Sequence, residues 1–363
     1  MILLIVLSVI LFILALIKSN NKIWTICFLL LMWIMFAFSS NTADYKIYYR
    51  RFYYNYKEST EPLFNGLVFV CRWLGLNLNG FIVLMATIYI AVLGYFLLSR
   101  KNNITSAGFV LAMYFIYPFC MDVSQLRSTI GFILILIGIH FLKSDKKSDD
   151  IKFFICVLIS TFIHYSGIFY VLLWIAKKIN IRKCIIVTVV MTVVVVFASG
   201  LSDFMLKIAG YVGAYHKVWT VLNNSVMQQS GTIIGTQRMM VLTFVLIIFF
   251  VCFAKKRTTS ETDIAAYDYL LKVNVLVMIT LPLISYSVDL FRIQRYLLII
   301  TYTILANYIR KHSEDLNRYS LSAILYKFCC FFIPVIGLYL NIIRSGIFEK
   351  VILCLYKYNL LLE

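Results

Sequence analysis

Residues 143–183 read KSDKKSDDIKFFICVLISTFIHYSGIFYVLLWIAKKINIRK, and how this stretch is threaded decides the fold. Lys143, Lys146, Lys147 and Lys152 flank the apolar run Ile151 to Ala176 on one side. Lys177, Lys178, Arg182 and Lys183 flank it on the other. Lys and Arg concentrate on the cytoplasmic side of membrane helices, so a single crossing would strand four cations outside and invert every later loop. If the run enters and returns, both flanks are cytoplasmic and the other loops agree. The sequence therefore predicts a re-entrant helical hairpin over residues 151–176, turning at His164-Tyr165-Ser166-Gly167. About 12 residues per arm give a reach of ~18 Å, beyond the bilayer midplane. An ordinary span with a polar kink is the alternative. Irregular backbone at that depth has to be covered by protein or face a watery cavity.

The rest of the chain supports a membrane reading. Of 363 residues, 62% are hydrophobic and 14% charged, with a mean hydropathy of +0.89. A soluble domain has no interior large enough to hide that much apolar surface. The expected fold class is an all-α polytopic membrane protein, a single integral membrane domain over residues 1–363. About ten further apolar runs are long enough to span: residues 2–17, 23–39, 80–98, 104–121, 126–142, 184–200, 237–254, 270–287, 295–309 and 321–341. The first lacks a basic leader and a small-residue cleavage site, and reads as a retained span.

The net charge is +18. It is spread over short connectors, which orient helices and touch anionic lipid heads, and this pattern argues against nucleic acid as a partner. The nine cysteines show no metal-ligand spacing, and no metal site is expected.

With the basic connectors inside, the N-terminus lies outside and two long external segments follow, about 39–79 and 201–236. Smaller external turns fall at Met121 to Gln125 and Val288 to Ile293. Leu63 to Leu74 reads as an amphipathic helix along the interface, started by the Glu61-Pro62 turn. The segment 201–236 is long for a structureless loop, and short interfacial helices are expected there.

This topology puts Arg50, Arg51, Arg72, Arg127, Arg292 and Arg295 on the side where positive charge is normally depleted, which points to an anionic ligand at the outer face. Arg127 starts a long apolar helix beside Asp122, Ser124 and Gln125. Its planar fork suits bidentate phosphate contact, whereas the competing reading is a helix-end Arg reaching for lipid headgroups. Arg292 and Arg295, followed by Tyr296, form a second basic group, unless Asp289 neutralises it. His164 sits in the predicted break as a cavity residue or a structural one. Asp44 and Glu61 are the external carboxylates suited to act as base or to hold sugar hydroxyls, or else simply to pair with Arg50 or Arg51. His140 and His312 lie toward the cytoplasmic side.

Several short strings now align in order. Asn41-Thr42-Ala43-Asp44-Tyr45 with Tyr48, Tyr49 and Phe52 is similar to a "G-T-D-x-x-x-Y" stretch. Glu61-Pro62-Leu63-Phe64 is similar to "E-P-G-F", and Gln125-Leu126-Arg127-Ser128 to an "x-x-R-Q" helix start. His164-Tyr165-Ser166-Gly167 is similar to "H-x-S-A", and Arg295-Tyr296 to a late Arg/Tyr pair. Together they resemble the EpsG family of bacterial exopolysaccharide polymerases, related in role to Wzy-type polymerases. Leu63, Ser128 and Gly167 depart from the family pattern.

The resemblance implies a GT-C/Wzy-like glycosyltransferase of the bacterial cytoplasmic membrane. Its expected substrate is an undecaprenyl-diphosphate-linked oligosaccharide, elongated at the outer face without metal or other cofactor. Flippase and chain-length regulator partners of the same pathway follow from it. The expected catalytic set is Arg127, Asp44, Glu61 and His164; the expected binding set is Arg50, Arg51, Gln125, Arg292, Arg295 and Tyr296. A flippase for the same lipid-linked sugar and a membrane acyltransferase acting on surface glycans are the rival classes.

Overall fold

A computed structural model describes the chain except residues 55–60, 100–103, 105, 199–206, 208–209, 212–229, 286–287, 315–320 and 362–363. The interfacial helices expected over 201–236 fall largely outside the described residues. Those residues form helices and no named strand: α1 (Ile2–Ile17), α2 (Lys22–Ala37), α3 (Tyr45–Tyr53), α4 (Pro62–Trp73), α5 (Leu78–Leu98), α6 (Ala107–Ile116), α7 (Phe119–Ser124), α8 (Leu126–Leu142), α9 (Lys147–Ile163), α10 (Val171–Lys178) and α11 (Ile181–Ala198). Longer helices follow at Ser230–Arg257, Glu261–Val277 and Arg292–Glu314, and shorter ones toward the C-terminus.

Among the described residues, four helices are long and apolar enough to cross a membrane: Leu78–Leu98, Ile233–Arg257, Glu261–Leu283 and Ile324–Ile343. Shorter apolar helices at Ile2–Ile17, Lys22–Ala37, Ala107–Ile116 and Leu126–Leu142 accompany them. Their starts follow local chemistry. The Asn21 side chain accepts from the Ile23 amide at 2.9 Å and Asn77 from the Gly80 amide at 2.8 Å, filling donors that a helix start leaves empty. Asp149 and Asp150 stand in the first turn of α9, where the helix dipole favours anions.

The run expected as one span over 104–121 is broken. Pro118 has no amide hydrogen to give and forces its predecessor out of the helical region, so α6 stops at Ile116 and Tyr117 is extended (φ −164°, ψ 129°). The Tyr117 carbonyl accepts from the Tyr302 hydroxyl at 3.0 Å, and the Tyr117 hydroxyl accepts from Asn341 Nδ2 at 2.7 Å. Its ring occupies the space over Gly337, where any Cβ would overlap it. The turn expected at Met121 to Gln125 is likewise corrected: Met121, Asp122, Val123 and Ser124 are buried and belong to α7.

The described residues gather into two compact units: Met1–Tyr170 with Leu298–Glu363, and Val171–Leu297. In the first, α8 and α9 lie side by side because Gly131 and Gly138 present no side chain. A Cβ at Gly131 would come within 3.1 Å of Ser160 Oγ, and one at Gly138 within 3.1 Å of the Phe153 ring. Small residues give membrane helices this kind of close approach.

The same unit pairs the chain's end with the end of α2. Ser40 N donates to the Tyr358 carbonyl at 2.9 Å and Leu360 N to the Phe38 carbonyl at 2.8 Å. Asn359, fully buried, donates from Nδ2 to the Ile34 carbonyl at 3.2 Å.

At the stretch that opened the sequence argument, α9 ends at Ile163 and His164 is extended (φ −151°, ψ 126°). Tyr165–Tyr170 then forms a 3-10 helix folded against the last turn of α9. A Cβ on Gly167 would stand 2.5 Å from the Thr161 amide nitrogen. The following arm, α10, belongs to the second unit. That unit is tied internally by polar side chains that reach backbone carbonyls. Thr188 Oγ1 donates to Val275 at 3.0 Å, Tyr269 to Leu173 at 3.2 Å, and Gln294 Nε2 to Met240 at 3.2 Å.

Candidate functional site

Pro62 suits the first helical position of α4, and this makes Glu61 the residue just before the helix. A residue there commonly turns its side chain onto the free amides of the first turn. Glu61 makes no such bond. Its carboxylate, fully buried, takes Arg127 Nη1 at 2.7 Å and Arg51 Nη1 at 2.9 Å on Oε2, and His164 Nδ1 at 2.8 Å on Oε1. Four elements of the first unit thus meet on one side chain.

Each partner arrives for a local reason. Arg51 lies on the buried face of α3 with Tyr48 and Phe52, and its guanidinium also stands 5.5 Å over the Phe64 ring, a favourable cation–π placement. Arg127 is in the first turn of α8, directly after the α7–α8 break at Gln125. Thr129 Oγ1 ties that break by donating to the Asp122 carbonyl at 2.7 Å and the Gln125 carbonyl at 3.1 Å. His164 closes α9 and is held in place by the α8–α9 approach at Gly131 and by the fold-back at Gly167.

Burial by itself pushes the Glu61 carboxyl up, but the hydrogen bond from His164 and the charge of Arg127 outweigh it and hold the group well below the usual carboxylate range. Glu61 is therefore ionised and accepts only, so His164 must donate from Nδ1.

The cluster is graded in exposure. The Arg51 and His164 side chains are 2% and 3% exposed, whereas Arg127 is 12% exposed and is the member that reaches a surface. Two guanidinium groups meet one carboxylate, so these three side chains sum to one positive charge, a composition suited to an anionic ligand.

The remaining expected residues are placed as follows. Asp44 precedes the first turn of α3, half-buried, and its carbonyl accepts from the Ile47 amide at 2.9 Å. Arg50 is on the exposed face of the same helix. Gln125 is partly buried at the start of α8. Arg292, Arg295 and Tyr296 belong to the second unit. There Arg292 Nη2 donates to Asp289 Oδ1 at 2.5 Å, the pairing the sequence offered as an alternative to ligand binding. Arg295 is buried with its guanidinium 4.9 Å over the Tyr296 ring.

One buried polar group escaped the sequence reading. The Tyr114 hydroxyl donates to Asp122 Oδ2 at 2.6 Å and touches the Tyr89 hydroxyl, all three residues being buried. The signal was a lone Asp in an apolar run, a residue type that needs a partner away from water. Which tyrosines supply it depends on helix packing.

No curated protein and no solved structure matches this chain. The EpsG family model matches residues 22–359, which includes the expected site residues from Asp44 to Tyr296. The chain therefore belongs to the EpsG family, whose membership together with the apolar helices makes it a multi-pass, polymerase-like membrane protein of polysaccharide biosynthesis.

Proposed function

We propose that this protein is a glycosyltransferase that transfers a growing glycan from undecaprenyl diphosphate onto the next lipid-linked repeat unit. The reaction takes place at the outer face of the bacterial cytoplasmic membrane, in a chain of about ten spans with a re-entrant hairpin over residues 151–176. One observation carries this reading: Arg127, Arg51 and His164 converge on buried Glu61, and Arg127 is the most exposed of the three.

Arg127 binds the donor diphosphate and stabilises the charge that builds on it as the leaving group departs. Glu61 holds both guanidinium groups at a fixed spacing, so they need no reorganisation when the charge appears. Arg50, next to Arg51 in the chain, and Gln125, two residues before Arg127, contribute to binding the substrate. Arg292, Arg295 and Tyr296 of the second unit bind diphosphate as well, and Asp44 holds sugar hydroxyls. Cations of the chain neutralise the diphosphate, so the proposed reaction uses no metal.

Analysis of lipid-linked and polymeric glycan from cells carrying Arg127→Lys tests this reading. Single repeat units accumulating on the outer-face lipid, with normal protein level, are expected. Full-length polymer from that variant removes Arg127 from the site. In a deletion strain, lipid-linked units trapped inside favour a flippase, and full-length glycan lacking acetyl groups favours an acyltransferase.

A further inference from the structure

We infer that two basic turns of the second unit, residues 177–183 and 255–257, form one binding site for the headgroup of an anionic phospholipid. The first turn carries Lys177, Lys178, Arg182 and Lys183, and the second is Lys255, Lys256 and Arg257. None of them belongs to the group around Glu61.

The helix Glu261–Val277 brings the two turns together. Lys255 Nζ donates to Asp268 Oδ1 at 2.6 Å, and Lys272 Nζ donates to the Ile179 carbonyl at 3.2 Å. Asp268 and Lys272 are four residues apart on that helix, so they share one face, about 6 Å apart along its axis. The end of the Ser230–Arg257 helix and the turn between α10 and α11 are thereby tied to one patch of the same helix. Lys183 N donates to Asn180 Oδ1 at 2.9 Å, which fixes the α10–α11 turn.

Charge at this end of the unit is mostly positive. Lys178, Arg182, Lys183, Lys256 and Arg257 are exposed. The carboxylates of the facing helix are Glu261, Asp263 and Asp268, and Asp268 is paired with Lys255. Arg182 and Lys183 also stand in the first turn of α11, where the helix dipole disfavours cations. Helix stability therefore gives no reason for them, whereas a phosphate headgroup does.

The surface beside this basic rim suits acyl chains. Ile185, Ile186 and Val189 on α11 are exposed, as are Val245 and Phe249 on the helix that ends at Arg257. At about 1.5 Å per residue, Ile186 lies ~5 Å past Lys183 and Phe249 ~10 Å before Lys256. Apolar surface thus follows charge on both helices, the order in which a phospholipid carries its own phosphate and chains. Arg257 Cζ is 3.8 Å from the Phe253 ring centre and Lys178 Nζ 5.8 Å from that of Trp174. Aromatic rings and cations meet in this way at the level where hydrocarbon gives way to headgroups. Ile233–Arg257 and Glu261–Leu283 are long and apolar enough to cross a membrane, so the rim between them falls at a membrane surface. The basic connectors assign it to the cytoplasmic leaflet.

The test titrates full-length protein in detergent with phosphatidylglycerol and, separately, with phosphatidylcholine of the same chains, reading the first bound lipid by native mass spectrometry. Wild type is expected to hold phosphatidylglycerol about tenfold more tightly or better. Arg182→Gln with Lys183→Gln, and Lys256→Gln with Arg257→Gln, should each weaken that binding about tenfold or more, since one cation near an anionic lipid surface contributes about fivefold. Lys18→Gln with Lys22→Gln removes as much exposed charge from the first unit and should change it by less than about twofold. All of these side chains are exposed, so the melting temperature without lipid is expected to stay that of wild type.

Equal binding of the two lipids by wild type overturns the site. So does a loss confined to one of the two rim pairs, which leaves the other turn outside it, or no loss from either. An equal loss from the Lys18 and Lys22 variant means that diffuse charge holds the lipid, and this too removes the site.

Discussion

Glu61 Oε2 lies 2.7 Å from Arg127 Nη1, joining the start of α4 to the start of α8 across 66 residues of chain. The carboxylate is fully buried and the guanidinium is 12% exposed, so the contact anchors a side chain that reaches a surface. Lys in place of Arg127 could still reach Glu61, but as a point charge it could not keep that bond and also present a planar fork. Arg127→Lys is therefore expected to abolish elongation with protein level intact, as glycan ladders and immunoblots will show.

Removing the Glu61 charge leaves the buried Arg51 and the partly buried Arg127 without the carboxylate they share. Glu61→Gln is expected to cost about 3–5 kcal/mol, the usual range for breaking a buried ion pair from one side. The pH dependence follows from the sign of the shift. The folded carboxyl is held well below its ordinary value of 4.5, so its contribution is complete above that value and is lost as pH falls below it toward the folded value. Thermal melting of purified protein in detergent should thus be flat from neutral pH down to about 5.5 and fall below it. Glu61→Gln should melt lower at neutral pH and show little of the acid decline.

The α8–α9 approach depends on an absent side chain. Gly131→Ala puts a Cβ 3.1 Å from Ser160 Oγ, and overpacking of this kind costs about 1–3 kcal/mol. Ser160→Ala removes the obstructing oxygen, so the double variant should recover most of that loss. Equal melting of the single and double variants would show that Ser160 is not what limits the approach.

Gly167 is more constrained. Its would-be Cβ meets backbone, the Thr161 nitrogen at 2.5 Å and the Ser160 carbonyl carbon at 2.6 Å, which cannot swing away as a flexible side chain could. Gly167→Ala should lower stability and activity together, even though Ala stands at the corresponding place in the pattern that this segment resembles. Wild-type turnover from Gly167→Ala would mean that the fold-back at Tyr165–Tyr170 is not needed for the site.

Backbone bonds between Phe38–Ser40 and Tyr358–Leu360 place these two segments together, so they share one membrane face whatever the absolute orientation. Cysteines introduced at Ala43 and Leu361 are expected to react with an impermeant thiol reagent from the same side of intact cells. Labelling from opposite sides would separate the tail from the end of α2. Asn359→Ala should also lower the melting temperature, since it removes a buried bond and leaves the Ile34 carbonyl only the Phe38 amide at 3.3 Å.

Hydropathy, basic punctuation and the positions of Gly and Pro are local properties, and they determined the helical membrane class, the start of α4 at Pro62 and the break at His164. Local patterning also singled out Arg51, Glu61, Arg127 and His164 as polar groups in need of an explanation. It could not say which of them meet. Glu61 finds Arg51 from 10 residues away, Arg127 from 66 and His164 from 103, separations over which no periodic signal survives. The same limit hid Tyr89 and Tyr114 as the companions of Asp122, and left Arg292 open between a ligand and Asp289. Tertiary structure decided these pairings because a buried charge or polar group takes the partner that helix packing brings within hydrogen-bond distance.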